Sequence, residues 1–287
     1  MFSKIPNLGV QMIENNPLRQ YFRRPALFLK LPSEGKFYPT GSIDLPENGE
    51  IPIYPMTAID EITTKTPDSL FNGVAVVEII KSCAPSIKDP WSMPNIDLDA
   101  VLVAIRAASS DKGLEISTDC PNCSEVNVYE INLSGILSSI KAGDYDTPLN
   151  FGELKIKFKP LRYKDVNQTG ITQTELQRMA LNVSSIQDSE ERMKASTEVL
   201  AKLNEATFNV VSNCIEVIIA PNNVEVTQKD FILDYLKNCS RIQFEEIKSR
   251  SIELREVSET KPLKIKCPDC NHNYEQQFTL NVSDFFG

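Results

Sequence analysis

The sequence predicts an α+β fold, with a mixed front domain of short strands and helices and an inserted domain that is mainly α-helical. Twelve of the 18 prolines lie in residues 1–94, whereas no glycine occurs from 171 to 286. Because both residues interrupt helices and mark turns, this distribution favours short elements in the first third and long helices over 171–258. Two Cys-Pro-x-Cys segments further predict a split four-cysteine zinc ribbon made of two knuckle hairpins.

The domain boundaries follow from the same changes in composition. Residues 1–24 form an N-terminal arm that ends in the basic and aromatic cluster Arg19–Arg24. This arm is either a poorly ordered terminus or a segment that orders on a partner, with its arginines beside acidic groups. Three units follow. The mixed front domain with the first knuckle covers 25–162, and the helical insertion covers 163–260. The C-terminal knuckle hairpin, 261–287, returns to the front domain.

Composition and charge exclude several classes of protein. The chain has 287 residues, of which 41% are hydrophobic and 24% are charged, and its net charge is −9. This usage is typical of a globular protein long enough for two domains. The N-terminus does not resemble a signal peptide and no apolar run approaches the ~20 residues of a bilayer span, so we expect cytosolic synthesis and no membrane contact. The negative charge disfavours broad nucleic-acid binding.

Capping residues, prolines and apolar periodicity predict the elements of the front domain. Ile51–Pro55 contains prolines that cannot donate to a central ladder, so we expect an extended edge segment there. Thr57 is suited to cap a short helix over 58–63. A second helix begins at Thr66-Pro67-Asp68 and runs until Pro85 stops it. A third helix near Asp97 and three strands complete the front domain, the strands over 114–118, 126–133 and 154–160.

The insertion is predicted to contain four helices. Thr172-Gln-Thr-Glu175 matches a capping box and predicts the start of the first. A longer helix is expected over 188–219, because its apolar residues recur at helical spacing. Two further helices begin at Thr227 and Ser240. The apolar stripes of these helices predict packing, either inside the chain or against a partner.

Four of the seven cysteines form the strongest motif in the sequence. They make up two knuckles, Cys120-Pro-Asn-Cys123 and Cys267-Pro-Asp-Cys270. A tight Cys-x-x-Cys turn directs two thiolates at one point, and two such turns supply the four sulfurs of a closed structural zinc site. Zinc ribbons usually separate their pairs by ~15–20 residues, whereas 143 residues separate these pairs. We therefore predict one structural Zn²⁺ per chain, held by Cys120, Cys123, Cys267 and Cys270 across the insertion.

Other uses of these cysteines remain open at this point. A disulfide is disfavoured in a reducing cytosol, and a redox Cys-x-x-Cys normally begins a helix, whereas strand-like alternation follows Cys123. The knuckles could also remain unpaired or share a metal between subunits. His272, the only histidine, is expected in a solvated loop. The remaining cysteines are expected to be small buried hydrophobes on helices: Cys83, Cys214 and Cys239.

Catalytic motifs are absent from the sequence. A charge-relay site would have to use His272, and no nucleophile motif accompanies it. No glycine-rich phosphate loop occurs, and the adjacent acidic pairs do not share a helix face. A zinc ion with four protein ligands has no open position for a substrate. We therefore expect no enzymatic activity.

Several collinear segments carry a resemblance. They are Leu31-Pro-Ser-Glu-Gly-Lys-Phe-Tyr-Pro39, Tyr54–Ile62, Thr66–Gly73, Ser82–Trp91 and Asp97–Arg106. Together with the C-terminal Cys-Pro-x-Cys, they resemble the baseplate hub protein family of T-even-type (T4-like) contractile-tailed bacteriophages. The resemblance implies a protein made in the host cytoplasm that acts in assembly of the baseplate hub and is located in the virion tail. It implies other tail and baseplate proteins as partners and an oligomeric state set by the assembly, and it supplies no set of catalytic residues.

Four functional hypotheses follow. The first is a non-enzymatic structural or assembly protein of the phage baseplate hub, in which the arm and the aromatic tail Asp284-Phe-Phe-Gly287 are docking segments. The second is a transient tail-assembly chaperone that is absent from the finished particle. A zinc-ribbon nucleic-acid binder and a thiol oxidoreductase are the third and fourth, and the acidic charge and the strand-like surroundings of the knuckles disfavour them.

Overall fold

The computed structural model describes residues 16–64, 72–110 and 114–276. In these residues, eight α-helices occur in chain order: α1 Ala58–Thr64, α2 Val74–Cys83, α3 Asn95–Ser109, α4 Leu133–Ser139, α5 Tyr163–Ser185, α6 Ser189–Asn213, α7 Lys229–Asn238 and α8 Arg241–Glu256. Ten strands accompany them: β1 Leu27–Lys30, β2 Glu50–Ile53, β3 Leu114–Asp119, β4 Val126–Ile131, β5 Leu149–Phe151, β6 Leu154–Phe158, β7 Ile215–Ala220, β8 Val224–Val226, β9 Leu263–Lys266 and β10 Asn273–Gln276. This mixed helix and sheet content confirms the predicted fold class at that level.

The first core, called the front core below, lies between α2, α3 and the antiparallel pair β1–β2. Both helices turn a row of aliphatic side chains inward, including the fully buried Ile79 and Val103. Pro52 lies in β2, whose partner among the described residues is β1, so its missing N–H interrupts no central ladder. The expected edge segment is thus confirmed. The pairing strand β1 was not predicted.

Local capping signals place the front helices correctly in two cases and incorrectly in one. The Thr57 backbone N–H donates to Asp60 Oδ2 at 2.7 Å, and the Asp60 N–H donates to Thr57 Oγ1 at 3.3 Å, as expected of a cap on α1. Helix α2 ends at Cys83, just before Pro85. The start predicted at Thr66-Pro67-Asp68 lies outside the described residues. A continuous helix from there is wrong, because Gly73, at φ 77°, has a left-handed conformation that no α-helix continues through.

The largest sheet is four-stranded and antiparallel, in the order β5-β6-β7-β8. Strand β7 corrects the prediction of a helix over 188–219. The helix ends at Asn213, and Ile215–Ala220 is a strand that pairs with β6. The run Ile215-Glu-Val-Ile-Ile is rich in β-branched side chains, which favour a pleated strand over a helix. Because β6 and β7 come from opposite sides of the boundary at 162, the sheet joins the two predicted units. The division into a front domain and an insertion stays a prediction.

Helices α5 and α6, the helix pair below, connect β6 to β7. Helix α5 begins at Tyr163, so the capping box predicted at Thr172 is wrong and Thr172 lies inside the helix. Tertiary contacts determine the earlier start, because the Tyr163 ring stacks on Trp91 at 5.3 Å and its N–H donates to the Met93 carbonyl at 2.8 Å. Helix α6 begins after Asp188, which accepts bonds from the next turn.

Helices α7 and α8 cover the four-stranded sheet. Helix α8 begins after Ser240, whose capping box with Gln243 confirms the predicted start. Helix α7 begins at Lys229, close to the predicted Thr227. Their apolar faces form a second core with the sheet, in which Ile156, Ile218, Ile232, Leu236, Ile247 and Leu254 are buried. Over the described part of the chain, no helix combines the length and apolar character needed to cross a membrane.

Candidate metal centre

The first knuckle is the turn of the hairpin β3–β4. The Cys120 N–H donates to the Glu125 carbonyl at 3.0 Å, and the Ser124 N–H donates back to the Cys120 carbonyl at 2.8 Å. Ser124 has a φ of 61°, which is uncommon for a residue other than glycine and lets the chain turn sharply after Cys123. Pro121 and this turn direct both thiols to the same side.

The second knuckle repeats this geometry in the hairpin β9–β10. The Cys267 N–H donates to the His272 carbonyl at 2.9 Å, and the Asn271 N–H donates to the Cys267 carbonyl at 3.0 Å. Asn271 has a φ of 59° at the position equivalent to Ser124. The structure therefore contains two hairpins of the same design, as the matching Cys-Pro-x-Cys segments predict.

The two knuckles face each other and bring all four predicted cysteines together. Cys120 Sγ lies 3.6 Å from Cys270 Sγ, and Cys123 Sγ lies 3.7 Å from Cys267 Sγ. All four Sγ atoms lie within 4.8 Å of one another. Four sulfurs at the Zn–S distance of ~2.3 Å in a tetrahedron would be ~3.8 Å apart. The donor set and its spacing therefore fit a tetrahedral thiolate-binding cation such as Zn²⁺.

Polar neighbours favour the thiolate at one cysteine of this cluster, Cys270. At Cys123 and Cys267, backbone hydrogen bonds are outweighed by desolvation and by the neighbouring thiols, so the pKa of each is raised. Hydrogen bonds from the Asn122 side chain and from the His272 backbone lower the pKa of Cys270 to about 6. Asn127 Nδ2 lies 3.7 Å from Cys267 Sγ and 3.0 Å from Asp269 Oδ2, so this side chain joins the two hairpins beside the sulfurs. A deprotonated thiol is the form that binds a metal.

Side chains outside the cysteines also connect the two hairpins. Thr118 Oγ1 donates to Gln276 Oε1 at 2.8 Å, and the Tyr129 and Tyr274 hydroxyl oxygens lie 3.5 Å apart. Leu263 of β9 packs against the front core. These contacts align the hairpins, and a cation bound by all four sulfurs would add a further connection between them.

The remaining cysteines and the histidine lie apart from this cluster. Burial raises the pKa of Cys83 to about 11 and that of Cys214 to about 12, as expected for inert buried thiols, while Cys239 is only half-buried. All seven cysteines are free thiols. His272 is exposed and its ring stacks parallel to Tyr274 at 6.4 Å. Each knuckle lies in the turn between two strands, whereas a redox Cys-x-x-Cys lies at the start of a helix. The position of the knuckles therefore disfavours a thiol oxidoreductase.

The contacts of Arg23 within the chain were not predicted from the sequence. One of the two alternatives for the arm placed the arginines of the cluster at 19–24 beside acidic groups of a partner, but Arg23 Nη1 lies 3.3 Å from Asp60 Oδ2 of the same chain. Its other nitrogen, Nη2, donates to the Ser82 carbonyl at 2.8 Å and to Ser82 Oγ at 2.7 Å. The end of the arm is therefore held on the front core. The tail at 284–287, the other expected docking segment, lies outside the described residues.

Comparison with known proteins identifies the chain at the level of a family. A family model described as "T4 bacteriophage base plate protein" matches residues 30–287, which is most of the chain. No curated protein and no solved structure matches the chain. The match extends through the helix pair and both knuckles. It confirms the resemblance to T4-like phage baseplate proteins.

Proposed function

Because the chain belongs to the T4 bacteriophage base plate protein family, we propose that it is a non-enzymatic structural and assembly protein of the baseplate hub. It is made in the host cytoplasm and carried in the virion tail, where it contacts other tail and baseplate proteins. One Zn²⁺ per chain, bound by Cys120, Cys123, Cys267 and Cys270, holds the C-terminal hairpin on the first one.

The observation that carries this proposal is the meeting of the two knuckles. Their four Sγ atoms lie within 4.8 Å although 143 residues separate Cys123 from Cys267. A cation at this point closes a long loop that contains the helix pair and the four-stranded sheet. Thiolate-bound zinc contributes on the order of 10 kcal/mol in small zinc modules. The site thus supports a mechanical role, in which zinc fixes the position of the chain's C-terminal hairpin.

The surroundings of the cluster also support a structural role. Four protein ligands leave zinc no open coordination position for water or substrate. The acidic Glu125 and Asp269 lie next to the knuckles, and the chain has a net charge of −9. Nucleic-acid binding relies on attraction between phosphates and a basic surface, so the net negative charge of the chain favours protein partners.

Metal analysis of purified protein tests the site. We expect about one zinc per chain in the wild type, and loss of that zinc in each of Cys120→Ser, Cys123→Ser, Cys267→Ser and Cys270→Ser. Cys239→Ser, which removes a half-buried thiol outside the cluster, is the matched control and should keep the metal. Wild-type protein without metal, or a Cys123→Ser variant that retains it, would contradict the zinc site.

The same variants test the role in the tail. Phage particles carrying Cys239→Ser should assemble normally, whereas the four cluster variants should reduce the yield of complete tails. Mass spectrometry should find the chain in purified particles. A chain that is needed for assembly but is absent from particles would be a transient chaperone, which is the alternative to the hub role.

A further inference from the structure

A half-open cavity of about 500 Å³ lies between the helix pair and α8. Its lining is mainly apolar and combines Leu176 of α5, Val199 and Leu203 of α6, and Ile252 of α8. Phe158 of the sheet also lines it. The cavity is separate from the cysteine cluster, and none of the four cluster cysteines lines it.

The cavity is elongated along the helix axes. On α5 its lining runs from Thr169 to Ala180, and along α6 it runs from Val199 to Cys214, the residue after the last helical one. At 1.5 Å per residue, these stretches extend for about 16 Å and 22 Å. A lining of this length spans three to four turns of a third helix, and a cavity of about 500 Å³ admits several of its apolar side chains while the helix itself lies along the opening.

A carboxyl group without a partner lies in this groove. Asp99 lines it and is partly buried, and no described residue donates a hydrogen bond to its side chain or pairs with it. Burial, together with the nearby Glu259, raises the pKa of Asp99 to about 6. Arg255 is already paired with Glu259 at 3.0 Å, and Lys159 and Lys248 are the other cations of the lining. A desolvated carboxylate of this kind favours an additional cation or hydrogen-bond donor.

The apolar lining continues outward along α6. Met193, Leu200 and Leu203 are exposed by 69%, 58% and 49%, and their spacings of seven and three residues place them on one helix face. Leu203 belongs to both this face and the groove. A row of exposed large apolar side chains that leads into a cavity indicates a protein-binding surface.

We propose that the groove binds an amphipathic helix of another tail protein, three to four turns long, whose apolar face carries one lysine or arginine that pairs with Asp99. The length of the groove matches such a helix, and its apolar walls with the partly buried, unpaired carboxyl of Asp99 match that pattern of side chains. The inference rests on the proposed function only in requiring that the chain acts through protein contacts.

Fluorescence anisotropy with the full-length chain tests the groove. The probes are two labelled 14-residue amphipathic peptides that differ only at the centre of the leucine face, which carries lysine in one and norleucine in the other. Wild-type protein should bind both saturably and the lysine peptide about tenfold more tightly. Asp99→Asn should abolish this preference, whereas Glu205→Gln, which removes an exposed charge outside the groove, should keep it.

A second pair of variants tests occupancy of the groove. Ala206→Trp places a large ring in the lining and should weaken the binding of both peptides at least tenfold. Ala201→Trp, on an exposed face of the same helix, should leave their binding unchanged. Circular dichroism establishes that both variants fold. Absence of saturable binding, or a lysine preference that persists in Asp99→Asn, overturns the proposal. Either result leaves the zinc site and the hub role untouched, because neither depends on these residues.

Discussion

The front core and the helix pair differ in where their apolar side chains lie. In α2, six of ten residues are buried. Helix α5 has 23 residues and α6 has 25, yet only Tyr163, Leu176, Val211 and Ser212 are buried in them. The front core is therefore stabilised by the burial of apolar side chains, whereas most side chains of the helix pair are at least partly exposed to solvent.

Because few side chains of the helix pair are buried, interactions within each helix contribute to its stability. Asp188 caps α6, and the ion pairs Lys194–Glu190 and Lys202–Glu198 join successive turns at 3.0 Å and 2.8 Å. Each such exposed pair contributes little to stability, because solvent screens its charges. Apolar residues in the front core therefore stabilise the fold, while the exposed apolar residues of the helix pair are available to other molecules.

The largest effect is expected in the front core. Ile79 is fully buried in α2, so Ile79→Ala loses its transfer free energy and leaves a cavity. We expect the free energy of unfolding to fall by about 4 kcal/mol, measured by urea denaturation followed by circular dichroism. Ile59→Ala, the same change at a residue that is 74% exposed on α1, should change stability by less than about 0.5 kcal/mol. Equal losses in the two variants would show that burial does not determine the difference.

A smaller effect concerns a buried carboxyl group of the front core. Asp97 is fully buried and accepts hydrogen bonds from the Ser33 N–H at 2.8 Å and from Ser33 Oγ at 2.5 Å. Burial raises its pKa from 3.8 to about 6 despite these bonds. As pH rises, the unfolded chain therefore loses this proton first, and the folded state loses stability between about pH 4 and pH 6. This contribution is at most about 3 kcal/mol.

Unfolding titrations of Asp97→Asn measure that contribution. Relative to the variant, wild-type protein should gain up to about 3 kcal/mol between pH 7 and pH 4. In the helix pair, the change of stability with pH should have the opposite sign, because a hydrogen bond from Lys202 and its positive charge lower the pKa of Glu198. Compared with Glu198→Gln, wild-type protein should lose stability as the pH falls through that lowered pKa. If the Asp97→Asn and wild-type curves run parallel, burial does not govern the front-core carboxyl.

Local signals in the sequence predicted much of the fold. Thr57, Pro85 and Ser240 act within one or two helical turns, and each determined a helix end as expected. Contacts distant in sequence account for the errors. Helix α5 begins at Tyr163 because Trp91 stacks on that ring, and β7 is a strand because β6 pairs with it.

The candidate site was predictable because its residues are repeated. Both knuckles have the same Cys-Pro-x-Cys pattern, so the sequence itself identifies four matched donors. The bonds that connect the hairpins were not predictable, because Asn127 and Asp269 meet only after both hairpins are placed. Asp97 was expected only as the start of a helix, since no local pattern reveals that Ser33 folds over it.

The smallest effect is expected on the exposed face of α6. Leu200 is 58% exposed, so Leu200→Ala removes little buried surface, and alanine has a slightly higher helix propensity than leucine. The free energy of unfolding should change by no more than about 0.5 kcal/mol. Leu176→Ala, the same substitution at a buried position of α5, should cost about 2 kcal/mol or more in the same urea titration. If Leu200→Ala costs as much as Leu176→Ala, its side chain contributes to the fold of the isolated chain. The exposed face of α6 would then not be free for a partner, and the contrast with the front core would fail.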